Sequence, residues 1–260
     1  MIGDYSGPWN GWPRSVWIGY EPRECDAFIV ARSSLVERSS TAIDVHSIIL
    51  ADMERAELYR RPYYRGHGNF LKDKISDAPM STEFAISRFL TPHLARDRYP
   101  AHGGWALYMD CDMLVRADVA DLFALADPAK AVMCVKHRHE PRERTKMDGQ
   151  EQIHYARKNW SSVMLFNCEH PANASLTVDL INRVPGRDLH RFCWLEDDLI
   201  GELPAEWNHL VGYSGAEGGE PKIVHFTNGT PSMLGMRMPY ADEWREQLHR
   251  WVRGPSEHAR

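Results

Sequence analysis

Six short apolar runs recur along the chain, at 16–20, 45–50, 105–109, 131–135, 163–166 and 223–226. They are rich in Val, Ile, Leu and aromatic residues, and their apolarity is continuous rather than alternating. That pattern fits strands covered on both faces. Between them the period changes. Phe28, Ala31 and Leu35 fall at i, i+3 and i+7, and Trp244, Leu248 and Trp251 at i, i+4 and i+7, just after Pro239. The stretch 117–126 reads as a helix closed by Asp127-Pro128. Strands alternating with helices predict an α/β sandwich with a largely parallel sheet. The segment 1–15 carries Gly, Pro and Trp without a period and reads as an irregular arm, whereas 236–260 reads as a C-terminal helix. The stretch 59–79, rich in Arg, Gly, His and Asp, reads as a long irregular loop or a short helix followed by one. The stretch 138–152 is equally polar and has no apolar period. There is no internal repeat, and the whole of 1–260 is expected to form one domain.

Composition narrows the function classes. The 260 residues are 43% hydrophobic and 26% charged, enough to bury a core and incompatible with wholesale disorder. Lys plus Arg is 31 against 36 Asp plus Glu, a formal net charge of −5. Such a chain has no global nucleic-acid surface, so an anionic ligand must be met locally by cations, backbone donors or a metal. The nine Trp suit a core, or a stacking wall for a base or sugar. Cys25, Cys111, Cys134, Cys168 and Cys193 are odd in number, widely spaced and free of any C-x-x-C. This argues against a disulfide framework or zinc ribbon and points to a reducing, cytoplasmic setting. No run approaches the ~18 apolar residues that span a bilayer, and the N-terminus lacks the basic start and apolar stretch of a signal peptide.

The sharpest chemical feature is Trp105-Ala-Leu-Tyr-Met-Asp110-Cys-Asp112, an apolar strand running into two carboxylates separated by one residue. In open α/β sheets, ligands bind beyond the carboxyl ends of strands. Two hard oxygen ligands there suit Mg2+ or Mn2+, which keep open positions for substrate phosphates. The structural alternative is a turn whose Asp side chains cap the next helix. A second apolar run ends in His225 and continues as Phe-Thr-Asn-Gly229; it supplies either a metal ligand or a hydrogen-bonded structural histidine. Glu196-Asp197-Asp198 stand in a row, costly unless one is paired or exposed; a charged helix start is the alternative. Asn159-Trp-Ser-Ser places polar groups ahead of the run at 163–166. His137-Arg-His139 offers two further imidazoles on a solvated stretch. There is no phosphate-binding G-x-x-x-x-G-K-[ST] and no G-x-G-x-x-G, and Ala216 breaks the nucleophile-elbow pattern begun at Gly212.

In their order these segments resemble the nucleotide-sugar glycosyltransferases of family eight, which contains glycogenin and the bacterial lipopolysaccharide galactosyl- and glucosyltransferases. The resemblance spans 16–235 and includes Ser81-Thr-Glu-Phe-Ala-Ile-Ser-Arg88-Phe-Leu-Thr-Pro92, similar to the family's helix with an Arg four residues before a Pro. It implies a GT-A fold, a single Rossmann-like α/β/α sandwich with a mostly parallel central sheet. It further implies a Mn2+ or Mg2+ ion, a UDP-hexose donor, a carbohydrate or other hydroxyl acceptor, and retention of anomeric configuration; a homodimer is compatible with it. Asp110, Asp112 and His225 match the family's metal ligands. Arg88 matches the Arg near the donor phosphates and sugar, and Asp197 and Asp198 the pair beneath the donor sugar. Gly19, Tyr20 and Arg23 of the opening loop, together with Cys111, Asn159 and Gly229, complete the donor-side set. The family's Lys after the Gly that follows its histidine is missing: Thr230-Pro-Ser-Met stands there, so Arg237 or Lys136 would have to substitute.

Physical logic runs alongside the resemblance. Breaking a sugar–phosphate bond requires charge stabilisation on the departing diphosphate, and the developing oxocarbenium ion requires a polar face, which Asp197 can provide. A haloacid-dehalogenase-like phosphatase also has a strand ending in D-x-D. Against it, Leu114 stands where that family has Thr or Val, and the motif begins only at residue 110. A non-catalytic nucleotide-sugar-binding protein is the remaining alternative, although a binder has no need of three metal ligands.

Overall fold

The computed structural model describes residues 14–67, 70–99, 104–137, 157, 159–214, 219–234 and 238–254. Its strands are β1 (Arg14–Gly19), β2 (Ile43–Ile48), β3 (Tyr63–Arg65), β4 (Leu71–Asp73), β5 (Ala78–Met80), β6 (Trp105–Met109), β7 (Met113–Val115), β8 (Val132–Cys134), β9 (Val163–Asn167), β10 (Ile200–Glu202), β11 (His209–Leu210) and β12 (Ile223–His225). All six apolar runs are strands. The run at 45–50 ends early because Leu50 already opens the helix Leu50–Arg55. Arg14 and Ser15 join β1 instead of the expected arm, whose remainder lies outside the described residues, as do 138–152 and both ends of 236–260.

The fold class is α/β, but the single mostly parallel sheet is corrected. A six-stranded sheet runs β10-β8-β9-β6-β1-β2, and two three-stranded sheets, β11-β12-β7 and β3-β4-β5, stand beside it. In the large sheet β1 is parallel to β2 and β6, and β10 to β8, whereas β9 is antiparallel to β6 and β8. Continuous apolarity reports burial on two faces and carries no information about strand direction.

The stretch 59–79 is corrected too, since β3, β4 and part of β5 lie in it as an antiparallel sheet. Its apolar alternation is disguised because β4 buries Asp73 beside Leu71. That carboxylate is neutralised by Arg61 at 2.6 Å, the side chains being 0% and 2% exposed. Arg61 also donates to the carbonyls of Ile181 and Val184, tying the small sheet to the body of the protein.

The helix Cys25–Arg38 buries Ala27, Val30, Ala31, Ser34 and Leu35, a stripe at helical spacing, and Ser34 Oγ accepts from Val115 N. The helix Ala241–Arg253 buries Trp244 and Gln247 against it, Gln247 Nε2 donating to Ser33 Oγ at 3.1 Å. Trp251, expected on the same stripe as Trp244, is exposed. Ala27, Val30, Leu114, Val224, Phe226 and Trp244 form a small second core beside the main one. The helix expected at 117–126 shortens to Val119–Phe123, capped by Asp118. The helix expected around Arg88 is a 3-10 turn, Ser87–Leu90, followed by the helix Thr91–Arg98, because Pro92 has no N–H to continue an earlier helix and suits a first turn. Among the described residues no helix is long and apolar enough to cross a membrane, and all five cysteines are free thiols.

Candidate active site

The carboxyl end of β6 leads into Asp110, Cys111 and Asp112, and the chain then re-enters a sheet as β7. Antiparallel pairing of β7 with β12 sets Met113 opposite His225, and Phe226 N donates to Asp112 O at 2.9 Å. The histidine at the end of one strand is thereby delivered to the carboxylate ahead of another. One ligand atom from each of Asp110, Asp112 and His225 lies within 4.8 Å of the others. Asp112 Oδ1 stands 3.2 Å from His225 Nε2, yet it has no aligned hydrogen-bond partner although buried. Adjacent ligands in an octahedral shell of about 2.1 Å bonds sit about 3 Å apart. The Asp112–His225 pair has that spacing, and two oxygens and an imidazole gathered within 4.8 Å, one oxygen otherwise orphaned, could hold a small divalent cation.

Charge reinforces the cluster. Burial pushes the Asp110 carboxyl up and Arg88 opposes it, with the net shift upward. Burial also acts to raise Asp112, but the charge on the adjacent His225, with Arg88 beyond it, outweighs it and holds that carboxyl below its ordinary value. Burial alone would lower His225; Asp112 more than compensates, so the ring is held above the usual histidine value. Arg88 Nη1 lies 2.8 Å from Asp110 Oδ1 and packs over the rings of Phe84 and Tyr108. The Tyr108 hydroxyl donates to the same carboxylate oxygen at 2.7 Å.

The reversed direction of β9 explains why polar residues precede it. Its first residue pairs with Met109, the last of β6, so Ser161 and Ser162 arrive at the same end of the sheet as Asp110. Arg88 Nη1 donates to Ser161 O at 2.9 Å, and Asp110 N to Ser162 O at 3.0 Å. Behind them the His190 ring sits 2.6 Å from Ser161 Oγ; burial, helped by Arg88, lowers its pKa to about 3. Asn159 takes a left-handed backbone (φ 63°) and its carbonyl accepts from Ser162 Oγ. Gly229 (φ 120°) turns the chain after β12.

The opening loop meets this end as well. A Cβ on Gly19 would lie 2.4 Å from the Phe84 ring, so only glycine lets β1 pass Phe84. Tyr20 packs edge-to-face on Phe28. Arg23 is engaged within the loop by buried Glu21 at 2.6 Å, and Glu21 also accepts from Glu83 N. Glu24, half-buried, lies 3.8 Å from the Cys111 thiol, and burial together with Asp112 and Glu21 pushes its carboxyl up to about 8.

In the acidic row the flanking Leu195 and Ile200 are buried, whereas Glu196, Asp197 and Asp198 are all exposed. The 3-10 turn Asp197–Leu199 throws the carboxylates outward, and Asp197 is ion-paired with Arg157. Arg157 and Lys136 both lie 5.6 Å from the centre of the Trp160 ring, immediately before Ser161. Arg237 and His139 lie outside the described residues. Sequence reasoning flagged Ser161 and Ser162 only as polar groups ahead of a strand, and missed Glu24, Tyr108, His190 and Asn208. A carboxylate just past a strand end could have flagged Glu24; nothing around Asn208 signals its place.

No family model matches the chain. Protein CDI of Arabidopsis thaliana is 40% identical over 244 residues, covering 92% of this chain and 87% of that protein. Similar solved structures include the bifunctional glycosyltransferase WbbM (TM-score 0.57, 13% identity, 93% of this chain and 50% of that one). The glycosyltransferase GlyE of Streptococcus pneumoniae TIGR4 is another (0.56, 16%, 91% and 60%). The galactosyltransferase LgtC, solved with donor and acceptor sugar analogues, is a third (0.55, 14%, 94% and 98%). The chain therefore spans half to three-fifths of WbbM and GlyE but nearly all of LgtC. These likenesses show a fold of the GT-A glycosyltransferase type.

Proposed function

The chain belongs to the family of Protein CDI, and from its fold and its Asp110–Asp112–His225 cluster we infer that it is a divalent-metal-dependent, retaining glycosyltransferase of the family-eight kind. It would move a hexose from a UDP-sugar to a hydroxyl of a carbohydrate or similar acceptor. The observation that carries the reading is the convergence of two carboxylates and an imidazole, from separate strand ends, at the carboxyl edge of the sheet.

Asp110, Asp112 and His225 would hold Mn2+ or Mg2+; when bound, such an ion supplies Lewis-acid charge for a departing diphosphate. Arg88, anchored by Asp110 and Ser161 O, presents a fixed guanidinium for donor oxygens. Lys136, beside Trp160, is the described cation that can stand in for the family's missing lysine. Gly19, Tyr20 and Arg23 shape the nucleoside side, with Cys111, Asn159 and Gly229 holding the loops around it. Asp197 is assigned to the face beneath the anomeric carbon and Asp198 to sugar hydroxyls; an exposed pair is free to take those roles once Arg157 is shared with the donor. The phosphatase alternative needs Asp110 as a free nucleophile, whereas Arg88 and Tyr108 already engage it. Free thiols throughout suit a reducing, cytoplasmic setting.

Calorimetry with UDP tests the reading. Binding is expected only with Mn2+ present, and Asp110→Asn or Asp112→Asn should weaken it at least about tenfold, since a ligand itself counts for no less than the outer partners that orient it. Equal UDP affinity in EDTA contradicts the site as described.

A further inference from the structure

We infer that Asn208 is a positioning residue that fixes the tautomer of His225, leaving Nε2 bare on the side of Asp112; the inference rests on the metal reading above. Asn208 is 0% exposed and His225 3%. Asn208 Oδ1 lies 3.1 Å from His225 Nδ1, and Asn208 Nδ2 donates to Ser162 Oγ at 2.9 Å. Ser162 Oγ in turn donates to Asn159 O at 2.8 Å.

The direction of this relay is forced from its far end. A backbone carbonyl only accepts, so the Ser162 hydrogen is spent on Asn159 O, and Ser162 Oγ can face Asn208 only as an acceptor. The group opposite it must be the amide NH2. Turning the amide over would set two oxygens against each other at Ser162 and place its oxygen 3.5 Å from Asn159 O, where Nδ2 now lies. With Nδ2 committed, Oδ1 faces the imidazole and requires Nδ1 to carry a hydrogen. In the neutral ring the lone pair then resides on Nε2, 3.2 Å from the unpartnered Asp112 Oδ1.

Two lone pairs at that separation repel unless a positive species lies between them, either a proton or a metal ion. Partners of this kind on the far nitrogen orient metal-binding histidines generally. The left-handed Asn159 thus has a purpose beyond its turn, because its carbonyl is the fixed end from which the histidine is set. Ser162 serves both ligand strands, its carbonyl holding Asp110 N and its hydroxyl holding Asn208.

Nitrogen-15 NMR of the full-length, metal-free protein at alkaline pH reads the neutral tautomer directly. The Nδ1–H form at His225 is expected, and an Nε2–H form overturns the inference whether or not Mn2+ binds. Titration with Mn2+ alone gives the second readout. Asn208→Leu, nearly isosteric but unable to accept, should weaken Mn2+ binding about tenfold to a hundredfold. Asn208→Asp, which keeps an acceptor for Nδ1–H, should stay close to the parent. A purely structural role predicts the opposite order, since Asp adds a buried charge. Parent-like Mn2+ affinity in Asn208→Leu overturns the inference. If that variant does not fold, the parent's tautomer and the Mn2+ affinity of Asn208→Asp still decide. A parent with the Nδ1–H tautomer that binds no Mn2+ overturns the metal reading and leaves the lock itself standing.

Discussion

At the residue scale the site is a set of neutralisations. Arg88 answers Asp110, His225 answers Asp112, and Ser161 O and Asp110 share the same guanidinium nitrogen. Arg88→Lys keeps the charge but loses the planar fork, so kcat/KM should fall about tenfold to a hundredfold, the worth of a charge-assisted hydrogen bond; steady-state kinetics with Mn2+ and donor would show it. Asp197→Ala should lower kcat far more than it raises the donor KM, because an interaction with developing positive charge exists only near the transition state. Near-normal turnover at saturating donor would leave Asp197 as an exposed partner of Arg157. His190 makes a pH prediction. Its ring is held neutral down to about 3 by burial and then Arg88, against an ordinary 6.5. Between those values the unfolded chain binds the extra proton, so this contribution is intact above pH 6.5 and is lost progressively as pH falls toward 3. A His190→Gln variant should lose less thermal stability than the parent between pH 6.5 and 4, as scanning calorimetry would reveal.

At the scale of elements, strand ends carried most of what the sequence revealed. Asp110, Asp112 and His225 were legible because each follows an apolar run, and a polar ligand at the end of a buried strand is a local signal. The direction of β9 was not legible, since Val163–Phe166 would be equally apolar either way. Its reversal is nonetheless what brings Ser161 and Ser162 to the Asp110 end of the sheet. The small sheet β3-β4-β5 was hidden because Asp73 occupies an inward position, and Arg61, twelve residues earlier, together with hydrogen bonds from Ser76, makes that burial tolerable. Removing one partner of such a pair strands a buried charge, so Asp73→Ala should cost about 3–5 kcal/mol in urea unfolding. Its Mn2+ affinity should not change. The exposure of Asp197 escaped the sequence because buried flanks at Leu195 and Ile200 do not determine which way a one-turn 3-10 segment points. Gly19 couples the opening loop to the site through packing. In Gly19→Ala the Phe84 ring must move, and Arg88, which packs on it, should lose position. A raised donor KM with intact Mn2+ binding is the expected result.

At the scale of the molecule, a mixed central sheet carries the site on one edge and two small sheets complete it, β7 and β12 by bringing His225 to the carboxylates and β3 to β5 by bracing the body. Ligands that bind this edge stabilise the folded chain as a whole. Saturation with Mn2+ and UDP at about 100 times Kd should add about 2.7 kcal/mol, raising Tm by about 5–10 °C for a domain of this size. The most direct measurement of the central claim is release of UDP from a panel of nucleotide sugars without acceptor, with Mn2+ and with EDTA, in the parent and in Asp112→Asn. The account predicts slow hydrolysis of at least one UDP-hexose, dependent on Mn2+ and lost in Asp112→Asn. Hydrolysis that proceeds undiminished in EDTA, or in Asp112→Asn, would contradict it.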